Sequence, residues 1–199
     1  MTNETIKTIH ARHSIRMFSE KPISEQNLLT ILEAANTAPS AHNQQAWRFI
    51  VIKGEKKHGL AELISKKAAT FPKTTSVLLR MAARSIMSAP VVVAVANTGE
   101  LIYHGTKLFQ IDKDRAYDFF RTMEIQSSAA AVENLLLAAT SMNIATVWLG
   151  ILFLLKDDVL EFLEERKGEF MAVVPMGHPL KASTGPKKRP IEAIIKYLD

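Results

Sequence analysis

Hydrogen-bonding side chains are concentrated between Pro39 and Gln45, where a helix-like segment gives way to a strand-like one. Ser40, Asn43 and Gln45 supply hydroxyl and amide groups that can both donate and accept hydrogen bonds. A polar turn joining helix to strand is the simpler interpretation of this stretch alone. The alternative is a ligand loop, so both interpretations stay open at this point.

Basic side chains recur at two places that are far apart in the sequence. Arg12, Ser14 and Arg16 alternate directly after a short helix, so two guanidinium groups and a hydroxyl could converge on one phosphate-bearing ligand. An exposed basic turn is the alternative. Near the C-terminus, residues 187–189 (Lys-Lys-Arg) stand between two prolines, which fix the backbone and favour a preformed anion clamp.

A third feature is the apolar run that ends at Gly150. A glycine backbone can approach a flat ligand closely and offer its N–H, because no Cβ stands in the way. Trp148 taken alone is better explained as a core aromatic side chain.

Several common catalytic patterns are missing. The sequence lacks both common glycine-rich phosphate motifs, G-x-G-x-x-G and G-x-x-x-x-G-K-[ST]. It also lacks the metalloprotease motif H-E-x-x-H and the serine-hydrolase motif G-x-S-x-G. Its six histidines include no pair at the i, i+4 spacing of two metal ligands on one helix face. We therefore predict no metal site and no serine-hydrolase chemistry.

Composition favours one cytoplasmic domain covering residues 1–199. At 47% hydrophobic content the chain can bury a sizeable core, and it has no cysteine for disulfides or thiolate chemistry. The N-terminus lacks a signal-peptide pattern, and no apolar run approaches the length of a membrane span. The net charge of +5 is scattered without an aromatic platform, so we do not expect nucleic-acid binding.

The interleaving of helical and strand patterns without regular βαβ repetition predicts an α+β fold. Residues 97–115 show no clear period, which indicates a loop or lid, and residues 117–142 form a long apolar helix that should be central. The predicted helices are 4–10, 24–37, 55–69, 74–87, 117–142 and 156–166, and the predicted strands are 47–53, 90–96 and 170–175.

The order of these motifs resembles the FMN-dependent nitroreductase family over almost the whole chain. The resemblance rests on Arg12-His-Ser-Ile-Arg, the 38–51 stretch, the 135–150 segment, and Pro175-Met-Gly-His-Pro with its following basic cluster. It implies a central mixed or antiparallel sheet flanked by helices and a homodimer with flavin sites at the subunit interface. It also implies noncovalent FMN.

The resemblance assigns flavin contacts residue by residue. Arg12, His13 and Ser14 match the first flavin-binding segment, with Arg12 on the phosphate, and Arg16 lies near the pyrimidine side of the ring. The other matched positions are the partner-subunit loop (Pro39, Ser40, Ala41, Asn43 and Gln45), the segment near flavin N5 (Val147, Trp148, Leu149 and Gly150), and the phosphate contacts Lys187 and Arg189.

Some positions depart from the family pattern. Family members often have glycine at the position of Asn143 and an acidic residue at that of Leu149, and either Lys187 or Lys188 could meet the phosphate. Residues 97–121 align with no family pattern, yet they should border the substrate pocket.

The implied activity is hydride transfer from NADH or NADPH to FMN, followed by reduction of a nitroaromatic, quinone or similar flat acceptor. The flavin carries the chemistry, so no side chain is predicted to act as acid, base or nucleophile. Alternatives on the same scaffold are dehalogenation, azoline oxidation, flavin fragmentation and FMN binding without turnover. The sequence does not identify the physiological acceptor or the preferred nicotinamide cofactor.

Overall fold

The computed structural model describes residues 3–109, 111–165 and 168–198. Within these ranges it has helices on both faces of an antiparallel sheet, which confirms the α+β class. The helices are α1 (Glu4–Ala11), α2 (Glu25–Asn36), α3 (Gly54–Ala68), α4 (Lys73–Ser88), α5 (Glu100–Leu108), α6 (Lys113–Ser141) and α7 (Lys156–Phe162). The strands are β1 (Trp47–Ile52), β2 (Val91–Asn97), β3 (Ala145–Thr146) and β4 (Glu169–Gly177).

The sheet has the strand order β1-β2-β4-β3, and every neighbouring pair is antiparallel. Every residue of the central strand β2 is buried. Its side chains alternate between two apolar clusters, with Val92 and Ala94 in one and Val93 and Val95 in the other. The continuous apolar run 90–96 is therefore a strand covered on both faces, as predicted.

Two helical layers cover this sheet. One cluster contains Leu60 of α3, Leu79 of α4 and Val159 of α7, and the other contains Ile31 of α2 and Leu135 of α6. The central position predicted for the long helix is confirmed, because α6 buries side chains along most of its length. Burial on this scale is the dominant stabilising contribution to such a fold.

The prediction of an irregular 97–115 loop is wrong. The segment contains α5 and the start of α6, with Gln110 outside the described residues. Gly99, at φ +78°, turns the chain into α5, and the Asp112 side chain caps α6 by accepting from Asp114 and Arg115 N–H at 3.1 Å. The helical period was hard to recognise because α5 also exposes large apolar side chains on its outer side.

The remaining boundaries differ little from the predictions. Helix α6 begins at Lys113 rather than at 117, and β4 continues to Gly177 rather than ending at 175. Helix α7 ends at Phe162, whereas the predicted end at Arg166 lies outside the described residues. A 3-10 helix, Gly150–Leu155, follows the apolar run that ends at the glycine.

Candidate functional site

The first basic segment lies against the edge of the sheet. Ser14 forms a parallel bridge with Thr146 of β3, and the Ile15 N–H donates to the Thr146 carbonyl at 3.0 Å. These contacts hold residues 12–16 in an extended conformation. The segment then divides between two cavities, because Arg12 and Arg16 line different ones.

Beyond β3 the chain continues beside β4. The Val147 N–H donates to the Pro175 carbonyl at 3.3 Å, and the Leu149 N–H donates to the Val173 carbonyl at 2.9 Å. A cleft of about 180 Å³ lies here, and its lining includes Arg16, Val147, Trp148, Leu149 and Gly150. The structure thus brings together two site segments that are over 130 positions apart in the sequence.

Gly150 leaves this cleft open. A Cβ added at Gly150 would have no atom within 4 Å, so the backbone has free space on that side. Arg16 is the one charged side chain among the described residues that line the cleft. The combination of one guanidinium, apolar walls and accessible backbone suits a flat ring with a polar edge.

Sequence reasoning missed the opposite wall of the cleft. Leu78, Met81 and Ser85 of α4 line it, and the first two are 46% and 38% exposed. Helix α4 has the pattern of an ordinary amphipathic surface helix, with apolar residues extending beyond its buried face. That excess of apolar residues was the signal available in the sequence, but it does not identify what they face.

Arg12 lines a different cavity, of about 270 Å³, together with His13, Asn143 and Ser183. Its Nε lies 3.4 Å from Oε1 of Glu133 on α6, a partner that sequence reasoning did not identify. Asn143 has φ +57° just after α6. Asparagine and glycine both adopt this left-handed conformation at helix ends, which explains why asparagine can replace the family's usual glycine.

The C-terminal arm returns to the first segment. His13 Nε2 lies 3.1 Å from the Ser183 Oγ, and the Leu180 N–H donates to the Met17 carbonyl at 3.1 Å. At Gly185 an added Cβ would lie 2.9 Å from the His13 Cβ, so the arm touches this side chain closely. Lys187 and Arg189 follow directly along the arm and are exposed.

The amide loop, residues 39–45, is ordered by its own hydrogen bonds. Ser40 Oγ accepts from the Gln45 N–H at 3.1 Å, and Gln45 Nε2 donates to Asn43 Oδ1 at 2.9 Å. His42, Asn43 and Gln45 all have φ between +50° and +53°. The Ala41 N–H donates to Ser127 Oγ of α6 at 3.1 Å, which fixes the loop to the helix.

The amide loop and the basic segment lie at opposite edges of the sheet. Trp47, just after the loop, pairs with Asn97 at one end of β2, whereas Thr146 pairs with Met176, opposite Val91 at the other end. Six steps along a strand and three strand spacings separate these corners by about 25 Å. No hydrogen bond among the described residues joins the loop to residues 12–16 or 147–150.

A buried carboxyl lies behind the amide loop. Glu124 of α6 is 1% exposed, and its Oε1 accepts from the Leu101 N–H of α5 at 3.0 Å. Burial raises the pKa of this carboxyl, and the nearby carboxylates of Glu169 and Glu100 raise it further, whereas the Leu101 and Gly99 N–H groups lower it. Glu124 therefore connects the start of α5 to α6.

The described residues contain no group of three or more histidine, cysteine or acidic side chains arranged to hold a metal ion. Within the same ranges no helix has the length and apolar character needed to cross a membrane.

Residues 9–178 match the family model described as the Nitroreductase family. The chain belongs to the nitroreductase family. It is 33% identical over 181 residues to an Archaeoglobus fulgidus protein named as an NADH dehydrogenase/NAD(P)H nitroreductase, covering 88% of this chain and 86% of that protein.

Solved structures of nitroreductase-type proteins share the fold. A Desulfitobacterium hafniense nitroreductase with bound FMN superposes with a TM-score of 0.76 at 24% identity, over 100% of both chains. A BluB-like flavoprotein from Clostridium difficile has a TM-score of 0.76 at 26% identity, also over 100% of both chains. The family resemblance inferred from the sequence motifs is thereby confirmed.

Within this nitroreductase fold the predicted site residues form three groups. Arg16 joins Val147, Trp148, Leu149 and Gly150 at one cleft. Arg12 and His13 lie beside the arm that leads to the exposed cations of residues 187–189. The third group, the amide loop, stands apart at the other edge of the sheet.

Proposed function

We propose that this protein is an FMN-dependent oxidoreductase that takes a hydride from NADH or NADPH and reduces nitroaromatic compounds, quinones or similar flat acceptors. The observation that carries the proposal is the cleft that Arg16 shares with the Val147–Gly150 backbone. Family membership supports it, as do the name of the Archaeoglobus relative and the FMN bound to the Desulfitobacterium relative.

The residues of the cleft fit a flavin. The Arg16 side chain is exposed at the cleft, and its guanidinium can stabilise negative charge on the pyrimidine side of the ring. The open backbone at Gly150 can donate an N–H to the ring edge. When bound, FMN supplies the hydride acceptor and passes two electrons to the second substrate.

Phosphate binding is assigned to cations from both ends of the chain. Arg12 and Arg189 present guanidinium groups that hold phosphate through paired, charge-assisted hydrogen bonds, and Lys187 adds an ammonium, with Lys188 as its alternative. His13 and Ser14 stand between phosphate and ring in this assignment. The contact between Gly185 and His13 supports it, because it brings the C-terminal arm to the first segment.

We infer that the active unit is a homodimer in which each flavin is completed by the amide loop of the second subunit. The loop residues lie at the corner of the sheet diagonally opposite Ser14. They are Pro39, Ser40, Ala41, Asn43 and Gln45. The separation of about 25 Å estimated from strand spacings supports this inference. The left-handed backbone of the loop supports a preformed binding role, since strain of this kind is concentrated at functional sites.

We further propose that residues 1–199 form one nitroreductase-like domain that acts in the cytoplasm. Both helical layers are packed on one sheet, which supports a single unit. Cytoplasmic action accords with the cysteine-free sequence and with the use of NADH or NADPH as reductant. The sequence has no dinucleotide-binding motif, so both substrates use the same open flavin face in turn.

Anaerobic stopped-flow spectroscopy tests the activity. Purified protein should be yellow, release FMN on heating, and lose its visible flavin absorbance within about a second of mixing with NADH or NADPH, at turnover rates ordinary for enzymes. Addition of a quinone or nitroaromatic compound should restore the absorbance. Protein that binds FMN but is not bleached over minutes would instead be a flavin-binding protein without turnover.

A further inference from the structure

A second groove lies beside helix α4, between this helix and α3. It has a volume of about 370 Å³ and is lined by Ser65 of α3 and by Val77, Arg80 and Arg84 of α4. All four side chains are exposed, and no acidic side chain among the described residues lines the groove. We call it the arginine groove.

Both arginines of this groove are available to an anion. Neither Arg80 nor Arg84 forms an ion pair with a carboxylate within the described ranges. The Arg80 Nε donates to the Ser76 Oγ at 3.4 Å, a long hydrogen bond that does not use the two terminal nitrogens. Residues four apart on a helix have Cβ atoms about 5–6 Å apart, so the two guanidinium groups can hold one phosphate between them.

Helix α4 separates the arginine groove from the flavin cleft. Leu78, Met81 and Ser85 line the cleft, and neither arginine of the groove is among the residues that line it. Val77 and Met81 lie between the two sets around the helix, and these side chains are 49% and 38% exposed. We call this pair the apolar ridge. A ligand that reaches from the cleft to the groove has to cross less than the width of one helix, about 10 Å.

The electron donor has the shape to cross the apolar ridge, and this step rests on the proposed function. NADH and NADPH carry a nicotinamide at one end and an adenosine at the other, and both are longer than a helix is wide. With the nicotinamide on the flavin in the cleft, the adenosine end can extend over α4 into the arginine groove. The two dinucleotides differ only in the phosphate on the adenosine 2′-oxygen, so cations at that end discriminate between them.

We propose that Arg80 and Arg84 bind the 2′-phosphate of NADPH, which makes NADPH the preferred electron donor. The adenine ring packs on the apolar ridge, where Val77 and Met81 expose apolar surface to it. NADH has no phosphate for the two guanidinium groups, which then stay in water at little cost because they are exposed. NADH therefore remains a donor, but a slower one.

The test measures flavin reduction in the holoenzyme by NADPH and by NADH, using anaerobic stopped-flow spectroscopy. The ratio of the two second-order rates should exceed one in the wild type. Arg80→Ala combined with Arg84→Ala should lower this ratio about tenfold, because each exposed charge pair contributes up to about fivefold. The preference should also weaken as ionic strength rises, since exposed ion pairs are screened by salt.

Two further variants separate geometry from charge. Arg84→Lys keeps the positive charge and should keep part of the preference, because an ammonium group cannot make the paired contact of a guanidinium. Lys66→Ala removes one positive charge from an exposed position on α3 that does not line the groove, and it should leave the ratio unchanged.

A binding measurement makes the test independent of turnover. Adenosine 2′,5′-bisphosphate and adenosine 5′-monophosphate are titrated into the holoenzyme by calorimetry. The double arginine variant should weaken the bisphosphate about tenfold and the monophosphate little, because only the bisphosphate carries the 2′-phosphate.

A wild type that is reduced equally fast by NADH, or a double variant with an unchanged ratio, would overturn the proposal. If neither dinucleotide bleaches the wild-type flavin, the proposed function fails, and the titration still decides on the arginine groove. Selective weakening of the bisphosphate would then support the groove as a site for the 2′-phosphate. Equal weakening of both probes, or of neither, would overturn it.

Discussion

Arg12 already has an anionic partner before any phosphate binds. Its Nε lies 3.4 Å from Glu133, and both side chains are partly exposed. A phosphate at this position must share or displace that carboxylate, so part of the gain from binding is offset. Arg189 is exposed and has no carboxylate partner among the described residues, so it can contribute more fully.

The first prediction concerns the phosphate. Arg12→Ala combined with Arg189→Ala should weaken FMN binding by about 3–6 kcal/mol, because each charge-assisted contact contributes about 1.5–3 kcal/mol. Riboflavin binding should change little, since riboflavin has no phosphate. Fluorescence titration of the apoprotein with both ligands measures the difference.

Two controls sharpen this measurement. Glu133→Gln should tighten FMN relative to riboflavin, because it removes the carboxylate that competes for Arg12. Arg80→Ala, on the exposed side of α4, should affect neither ligand. Equal weakening of FMN and riboflavin by the double variant would contradict the phosphate assignment.

The second prediction concerns Glu124, whose folded-state pKa lies above the ordinary value of 4.5 because of burial. As pH rises from 4.5 toward that raised pKa, the folded protein retains a proton that the unfolded chain has lost. The carboxyl therefore lowers the stability of the fold progressively over this window. Glu124→Gln removes this dependence.

The free energy of unfolding of Glu124→Gln should thus increase relative to wild type as pH rises above 4.5. The relative gain is at most about 1.4 kcal/mol for each pH unit, and it becomes constant above the raised pKa. Urea unfolding of both proteins across this pH range measures it, with the exposed Glu62→Gln as control. A difference that stays constant with pH would show that burial does not affect this carboxyl.

At the scale of elements, the contact between α5 and α6 depends on the absence of a side chain. An added Cβ at Gly105 would lie 2.4 Å from two ring carbons of Phe120. Phe120 is buried between α5 and α6 and cannot move aside freely, because Phe109 and Phe119 also contact it. Gly105 therefore sets how closely the two helices approach.

The third prediction is that Gly105→Ala destabilises the protein by about 1–3 kcal/mol through overpacking, even though alanine favours helix by up to about 1 kcal/mol over glycine. Thermal unfolding measures the loss of stability. Gly150→Ala is a matched control for stability, because a Cβ there meets nothing within 4 Å. A Gly105→Ala variant as stable as wild type would refute the close contact between Gly105 and Phe120.

At the scale of the whole molecule, the sheet separates the two halves of the proposed flavin site. Ser14 and Thr146 lie at one corner and the amide loop at the diagonally opposite one. The 25 Å between them, estimated from strand geometry, is larger than any side chain can span. We therefore propose that a site using both groups is shared between two chains.

The fourth prediction follows from that separation. Arg12→Ala and Asn43→Ala each damage both sites of a homodimer. A mixed dimer of the two variants should place both lesions at one site and leave the other native, so about half of its flavin sites should recover if the sites act independently. Flavin titration of mixed dimers isolated with two different tags measures the recovery. Mixed dimers no better than the single variants would indicate that both residues belong to one chain's site.

Much of the fold could be predicted because its signals are local. Strand β2 follows from the apolar run 90–96 alone. The start of α2 follows from Ser24, whose Oγ accepts from the Asn27 N–H at 3.2 Å. Helix α5 could not be recognised, because two of its contacts come from a different helix: Phe120 of α6 packs closely on Gly105, and Glu124 of α6 accepts the Leu101 N–H. Helical periodicity fails as a signal where a helix also exposes aromatic side chains.

The sequence by itself determined the chemistry available to this protein: cations at both ends, an amide-rich loop, an open glycine and no cysteine. Tertiary structure decided how these groups are distributed. It joined Arg16 to Gly150 through the hydrogen bond from Ile15 to Thr146, and it set the amide loop at the opposite corner of the sheet. Side-chain types are properties of single residues, whereas distances between segments depend on strand order and register, which long-range pairing fixes.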